Sequence, residues 1–71
     1  MDKAQFVELL GRILTHTCWD ISGAKYVKEQ WSELAIIEFN GIDPLPVNIT
    51  GDSNAMIILD VMHELERAIG F

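Results

Sequence analysis

The residues able to do chemistry are few, and their spacing does not suit metal binding or catalysis. His63-Glu64-Leu65-Glu66-Arg67 begins like the two-histidine helix motif of zinc proteases, but arginine stands at position 67, where the second histidine is needed. His63 then reads as a solvated helix residue that can approach Arg67 or a neighbouring acid. His16 and Cys18 are two apart near a helix end, where such neighbours do not face each other. One cysteine and two histidines cannot close a zinc site without a second subunit's ligands or additional carboxylates. Glu38, Asp43, Asp52 and Asp60 supply carboxylates, yet acid–base catalysis needs a pair held in a cleft, and surface acids are ordinary in a chain of net charge −6. The sequence contains neither a serine elbow nor a glycine-rich phosphate loop. The expectation is a protein that uses no catalytic residue, metal or cofactor.

Two segments have the chemistry to bind. Thr50-Gly51-Asp52-Ser53-Asn54 joins a strand to a helix and presents backbone N–H groups at the helix N-terminus, a natural place for an anion. Asp52 is itself negative, and as a cap it would take up the same donors, so capping and anion binding both stand as readings. Trp19, Tyr26 and Trp31 flank segments carrying Lys25 and Lys28. Aromatic faces stack on bases while lysines meet phosphates, although tryptophans in a small chain also serve as core or interface anchors. On the ligand reading the binding residues are Lys25, Tyr26, Trp31, Thr50, Ser53 and Asn54, and the ligand is small, anionic and nucleotide-like.

Charge excludes a long nucleic acid. Up to residue 30, Asp2, Glu8, Asp20 and Glu29 are balanced by Lys3, Arg12, Lys25 and Lys28, whereas beyond it Arg67 alone faces Glu33, Glu38, Asp43, Asp52, Asp60, Glu64 and Glu66. A phosphate backbone needs a basic footprint that releases counterions, and none is present.

The elements that must position these residues follow from periodicity. A helix is predicted over residues 3–16, with Asp2 as N-cap, Gln5 completing a variant capping box, and a core face of Phe6, Leu9, Leu10, Ile13 and Leu14. The period fails from Cys18 to Gly23, and Ser22-Gly23 reads as a turn. Residues 24–29 and 34–39 read as strands, though residues 24–31 also fit a short helix. Asn40-Gly41 marks a turn and Asp43-Pro44 prolongs it. In the strand over 45–50, Leu45, Val47 and Ile49 alternate with polar or proline positions, and Pro46 places that strand at a sheet edge. A second helix is predicted over 54–69, capped by Asp52 or Ser53, with a core stripe of Ala55, Ile58, Val61, Met62, Leu65 and Ile69 opposite Asp60, His63 and Arg67. The fold class is α+β: an N-terminal helix, a small antiparallel meander of two to three strands, and a C-terminal helix on one face, all in one domain over residues 1–71.

Two surfaces are candidates for an interface. Ala4, Val7, Gly11 and Thr15 form a second, small-residue stripe on the first helix. There Gly11 is either a tolerated surface glycine, costing roughly 1 kcal/mol of helix propensity, or a point of close approach by another helix or subunit. Met56 and Leu59 make the first turns of the second helix apolar on more sides than one sheet covers, which leaves the other helix of the chain or a second subunit to cover them.

A chain of 71 residues buries only about 60% of its unfolded surface, and the lone Cys18 cannot form an internal disulfide. Homo-oligomerisation is the expected compensation. A single cysteine, the lack of a signal-like segment and the lack of a long apolar run point to the cytoplasm and away from a membrane.

At Asn40-Gly41 and at Val47-Asn48-Ile49-Thr50-Gly51-Asp52-Ser53-Asn54-Ala55-Met56-Ile57-Ile58-Leu59-Asp60-Val61, the chain resembles small proteins encoded by phages and prophages of Gram-positive bacteria, over roughly residues 24–69. The shared pattern is a strand ending in a Val-Thr-Asp-Ser-like turn, followed by an Ala-Met-Ile…Asp-Val helix. The resemblance implies a helix–sheet–helix fold and a non-enzymatic accessory role in the host cytoplasm. That role would be binding a host defence protein or sequestering a nucleotide-like immune signal, and the resemblance assigns no site residue. The first reading is a homo-oligomeric capture protein of this counter-defence type. The alternative is a protein-binding inhibitor or assembly factor that works through an apolar and acidic surface.

Overall fold

The computed structural model describes residues 1–18 and 20–70. The chain runs α1 (Lys3–Thr17), β1 (Ile21–Lys28), β2 (Glu33–Phe39), β3 (Leu45–Asn48) and α2 (Asn54–Ile69). The strands form one antiparallel sheet of order β1-β2-β3, an α+β meander between two helices. Asp2 caps α1 through the expected box: the Gln5 N–H donates to Asp2 Oδ1 at 2.8 Å, and the Asp2 N–H donates to Gln5 Oε1 at 3.1 Å. Ser53 caps α2, and Gly70, at φ 69°, ends it in the left-handed conformation that favours glycine.

Residues 24–28 are strand and not helix, and Ser22-Gly23 is not a turn. Both belong to β1, where the register against β2 slips between Ile21 and Gly23 as a β-bulge. The turn signal was a bulge signal, because glycine serves both. The Asn40-Gly41 turn is present, with Gly41 at φ 85°. β3 is an edge strand, and its pairing explains why Pro46 is tolerated. The Ile49 N–H donates to the Glu33 carbonyl at 2.9 Å, so Val47 and Leu45 also turn their backbone groups toward β2, while Pro46 and Asn48 turn theirs outward. The missing proline N–H therefore costs no ladder bond.

One face of the sheet carries the core. Ile21, Ala35, Ile37 and Val47 are buried there against Val7, Leu10 and Leu14 of α1 and Ile57, Val61 and Leu65 of α2. Both helices are rotated from the orientation their periodicity predicts. On α1 the buried row is Val7, Leu10, Gly11 and Leu14, while Ile13, expected in the core, is 51% exposed. On α2 the buried row is Ile57, Val61 and Leu65, while Ala55, Ile58 and Ile69 are exposed.

Gly11 is the cause on α1. A Cβ there would lie 2.4 Å from the backbone nitrogen of Ala24 and 2.7 Å from its Cβ, so the helix rests directly on β1 at this point. The close approach expected at Gly11 does occur, but its partner is the chain's own strand. Gly11 and the fully buried Val7 are thus core residues and not parts of an interface, and Ala4 beside them is half-buried. Gly11→Ala should destabilise the fold by about 1–3 kcal/mol in urea unfolding, despite the roughly 1 kcal/mol of helix propensity that alanine gains. In Gly23→Ala the new Cβ would meet nothing closer than Glu38 Oε1 at 3.8 Å, and this variant should stay within about 0.5 kcal/mol of wild type.

Candidate functional site

The Lys3 ammonium, at the start of α1, donates to Glu33 Oε1 at 2.7 Å and to Asp52 Oδ1 at 2.8 Å. The Tyr26 hydroxyl donates to the other oxygen of Glu33. This cluster ties the first turn of α1 to the starts of β2 and α2, so the two helices begin at the same end of the molecule and run roughly parallel. Bonds to Asp52 and then to Glu33 hold the Lys3 ammonium above its ordinary range. Lys3, followed by Tyr26, holds the Glu33 carboxyl below the ordinary value of 4.5, and the bond to Glu33 pushes the Tyr26 hydroxyl up. Every polar group of the cluster that points inward is paired within the chain, which makes it a clamp.

Of the six residues expected to bind a ligand, Thr50, Ser53 and Asn54 share the turn before α2, and Asp52 of that turn is joined through Lys3 and Glu33 to Tyr26, whereas Lys25 stands apart from them. Lys25 and Tyr26 are neighbours on β1 and therefore point to opposite faces of the sheet. Tyr26 lies half-buried on the core side, engaged by Glu33. Trp31 stands at the tip of the β1–β2 hairpin, 89% exposed, over a shallow notch beside Lys28, Glu29 and Ile49. Thr50 is held by Asp60, which accepts from its N–H at 2.8 Å and from its hydroxyl at 3.0 Å. The Ser53 hydroxyl accepts from the Met56 N–H at 3.2 Å as the cap of α2, and Asn54 is exposed in its first turn. Of the two readings of this turn, the capping bonds are the ones in place, made by Ser53 and not by Asp52. Trp19 lies outside the described residues.

His63 is exposed on α2, the solvated helix position expected of it, beside Asp60, Glu64 and Arg67. Asp60 is half-buried and joined to Thr50, and Arg67 Nη1 lies 3.2 Å from Glu64 Oε1. With Pro46 and Asn48 these residues line an open, polar groove along the free edge of β3. Cys18 packs against the core while His16 is exposed at the end of α1. Among the described residues no group of three or more His, Cys, Asp or Glu is placed to hold a metal ion, and no helix is long and apolar enough to cross a membrane.

The polar flanks of the helices show where their apolar flanks must lie. Glu8, Arg12 and Thr15 of α1 border Ser22, Gly23 and Ala24 at the free edge of β1. Asp60, Glu64 and Arg67 of α2 border the free edge of β3. With 3.6 residues per turn, the opposite flank of α1, which carries Leu9 and Ile13, faces α2, and the opposite flank of α2, which carries Ile58, Met62 and Ile69, faces α1. Leu59, 49% exposed, stands at the outer rim of the same row, and Ile58 and Ile69 are each 39% exposed. Met56, exposed to a similar degree, instead packs beside Gly51, where a Cβ would meet its side chain at 2.9 Å.

The outer surface of the helix pair is thus an apolar seam of Leu9, Ile13, Ile58, Leu59, Met62 and Ile69. Apart from Leu59, these residues are ones whose spacing predicts core positions, and of them Met62 does pack against the core. The signal that could have separated them is width: the apolar arc of each helix spans more than the roughly 100° a single sheet covers. The other sheet face carries Val27, Leu34 and Ile36, each half-buried between Lys25, Glu38 and Asn48, and is less apolar than the seam.

No family model, curated protein or solved structure matches the chain.

The clamp has a pH signature. A carboxylate held below its ordinary value contributes stability that is present above that value, here 4.5, and lost as pH falls through the lowered one. A raised lysine contributes below its ordinary value of 10.5 and loses that contribution only as pH rises beyond it. In urea unfolding, Glu33→Gln should have a lower midpoint than wild type at neutral pH, and the gap should close as pH falls below 4.5. A gap that persists unchanged into acid would remove Glu33 from the account.

Proposed function

We propose that this chain is a small protein-binding module whose contact surface is the apolar seam between α1 and α2. The observation that carries this reading is the seam itself, in which Ile13, Ile58, Leu59 and Ile69 remain exposed beside half-buried Leu9 and Met62. Contiguous apolar surface of a few hundred Å² on a soluble domain marks a contact site. The sequence resemblance to phage and prophage accessory proteins fits a module that inhibits a host or defence component by occupying one of its surfaces. A small anionic ligand has less to hold it, because Lys25 points to the sheet face opposite Tyr26 and the hydroxyls of Tyr26, Thr50 and Ser53 are bonded internally.

A photo-reactive side chain placed at position 13, 59, 25 or 31 tests this in producing cells. Protein adducts should concentrate at 13 and 59, on the seam, over 25 on the open sheet face and 31 at the hairpin tip. Adducts confined to 25 or 31, or none at 13 and 59, would overturn the reading.

A further inference from the structure

Resting on the reading of the seam as a protein-binding surface, we infer that its occupant is a second copy of this chain, packed helix layer to helix layer between two outer sheets. Charge favours self over a foreign partner. The outward rows of the two helices carry Gln5, Arg12 and His16 on α1 and Leu59, His63 and Glu66 on α2, so Arg12 offsets Glu66 and the face is neutral in a chain of net charge −6. Two identical acidic subunits repel each other wherever their acids meet, and this face has been kept almost clear of them. A basic partner would instead be drawn to the acids elsewhere, at Asp43 in the β2–β3 loop, at Glu29 in the hairpin and at Glu38 on the outer sheet face.

Area agrees. Helices of 15 and 16 residues are roughly 22–24 Å long, and at a spacing of about 10 Å they present a footprint of about 24 by 20 Å. The exposed seam residues Ile13, Ile58, Leu59 and Ile69, between 39% and 51% accessible, form the apolar centre of that face, and the polar residues around them would make up the rest of the ~800 Å² that each partner gives to a standard interface. A twofold contact uses the same patch on both copies, and a row of Leu, Ile and Met side chains suits that requirement because it interdigitates without matched polar groups. Closing the seam also supplies a third layer to a core that, among the described residues, holds ten buried apolar side chains.

Sedimentation equilibrium on the purified chain should give twice the chain mass. Ile13→Glu and Leu59→Glu should each return the single-chain mass with unchanged far-UV circular dichroism, and Trp31→Glu at the hairpin should leave the doubled mass intact. A wild-type protein of single-chain mass at every concentration overturns the inference, as does a dimer that survives both seam substitutions. If a glutamate variant unfolds, irradiation of the purified protein with a photo-reactive side chain at position 59 decides: a covalent two-chain species supports the dimer and its absence overturns it. A monomeric purified protein whose position-59 adducts in cells are all to another protein would refute the self-contact alone, whereas a lack of any seam adduct would refute the binding surface itself.

Discussion

The contact of Gly11 with Ala24 is the constraint from which the rest of the arrangement follows. Because no side chain separates the α1 backbone from β1 at that point, the helix turns Gly11, Val7 and Leu14 inward, and Ile13 is carried out of the core. A larger residue at position 11 would meet Ala24 and force the helix away from β1. The glycine thus trades some helix propensity for closeness to the sheet, and in doing so determines which side chains α1 shows to the outside.

The second constraint acts at the N-terminal end of the helix. Lys3 bridges Glu33 and Asp52, and Tyr26 secures Glu33 from the neighbouring strand. The Asp52 side chain is almost wholly exposed, so its half of the bridge is solvent-screened and weak. The half-buried Lys3–Glu33–Tyr26 part is the one that orients. That part fixes the start of α1 against β1 and β2, while the Asp60 bonds to Thr50 fix how α2 is turned about its own axis, with Asp60 toward β3 and Ile58 and Met62 toward α1. Side-chain hydrogen bonds at the helix starts and a backbone contact midway along α1 therefore set the geometry of the apolar seam without any member of the seam taking part.

Element types and order were legible because they depend on local signals: the Asp2–Gln5 box, the alternation through Leu45, Val47 and Ile49, and the Asn40-Gly41 turn. Pro46 even reported its strand's place in the sheet, since only an outward-facing nitrogen spares the ladder. Rotation about the helix axes was not legible. A helix with a wide apolar arc has several near-equivalent orientations, and the choice among them rests on pairings distant in sequence, such as Gly11 with Ala24 or Lys3 with Glu33. The surroundings of the expected ligand residues were hidden for a related reason. Lys25 and Tyr26 are adjacent in sequence and opposite in space once residues 24–28 are strand, the Thr50 hydroxyl bonds to Asp60 ten residues on, and the Ser53 hydroxyl caps α2.

The width of the helices' apolar arcs is then informative in itself. A helix that has only one sheet to pack on needs a stripe of about 100°, and Val7, Leu10 and Leu14 on α1 with Ile57, Val61 and Leu65 on α2 already provide it. Leu9, Ile13, Ile58, Leu59 and Ile69 are additional: Leu59 lies at the outer rim of α2, and the others lie on the facing flanks of two helices that touch each other little. If the chain functioned as an isolated two-layer domain, polar residues at these positions would cost it no core contact and would make it more soluble. Their concentration on one side of the molecule, where Glu66 is the acid that the outward rows retain, is the surface that the proposed contact with a second copy would cover.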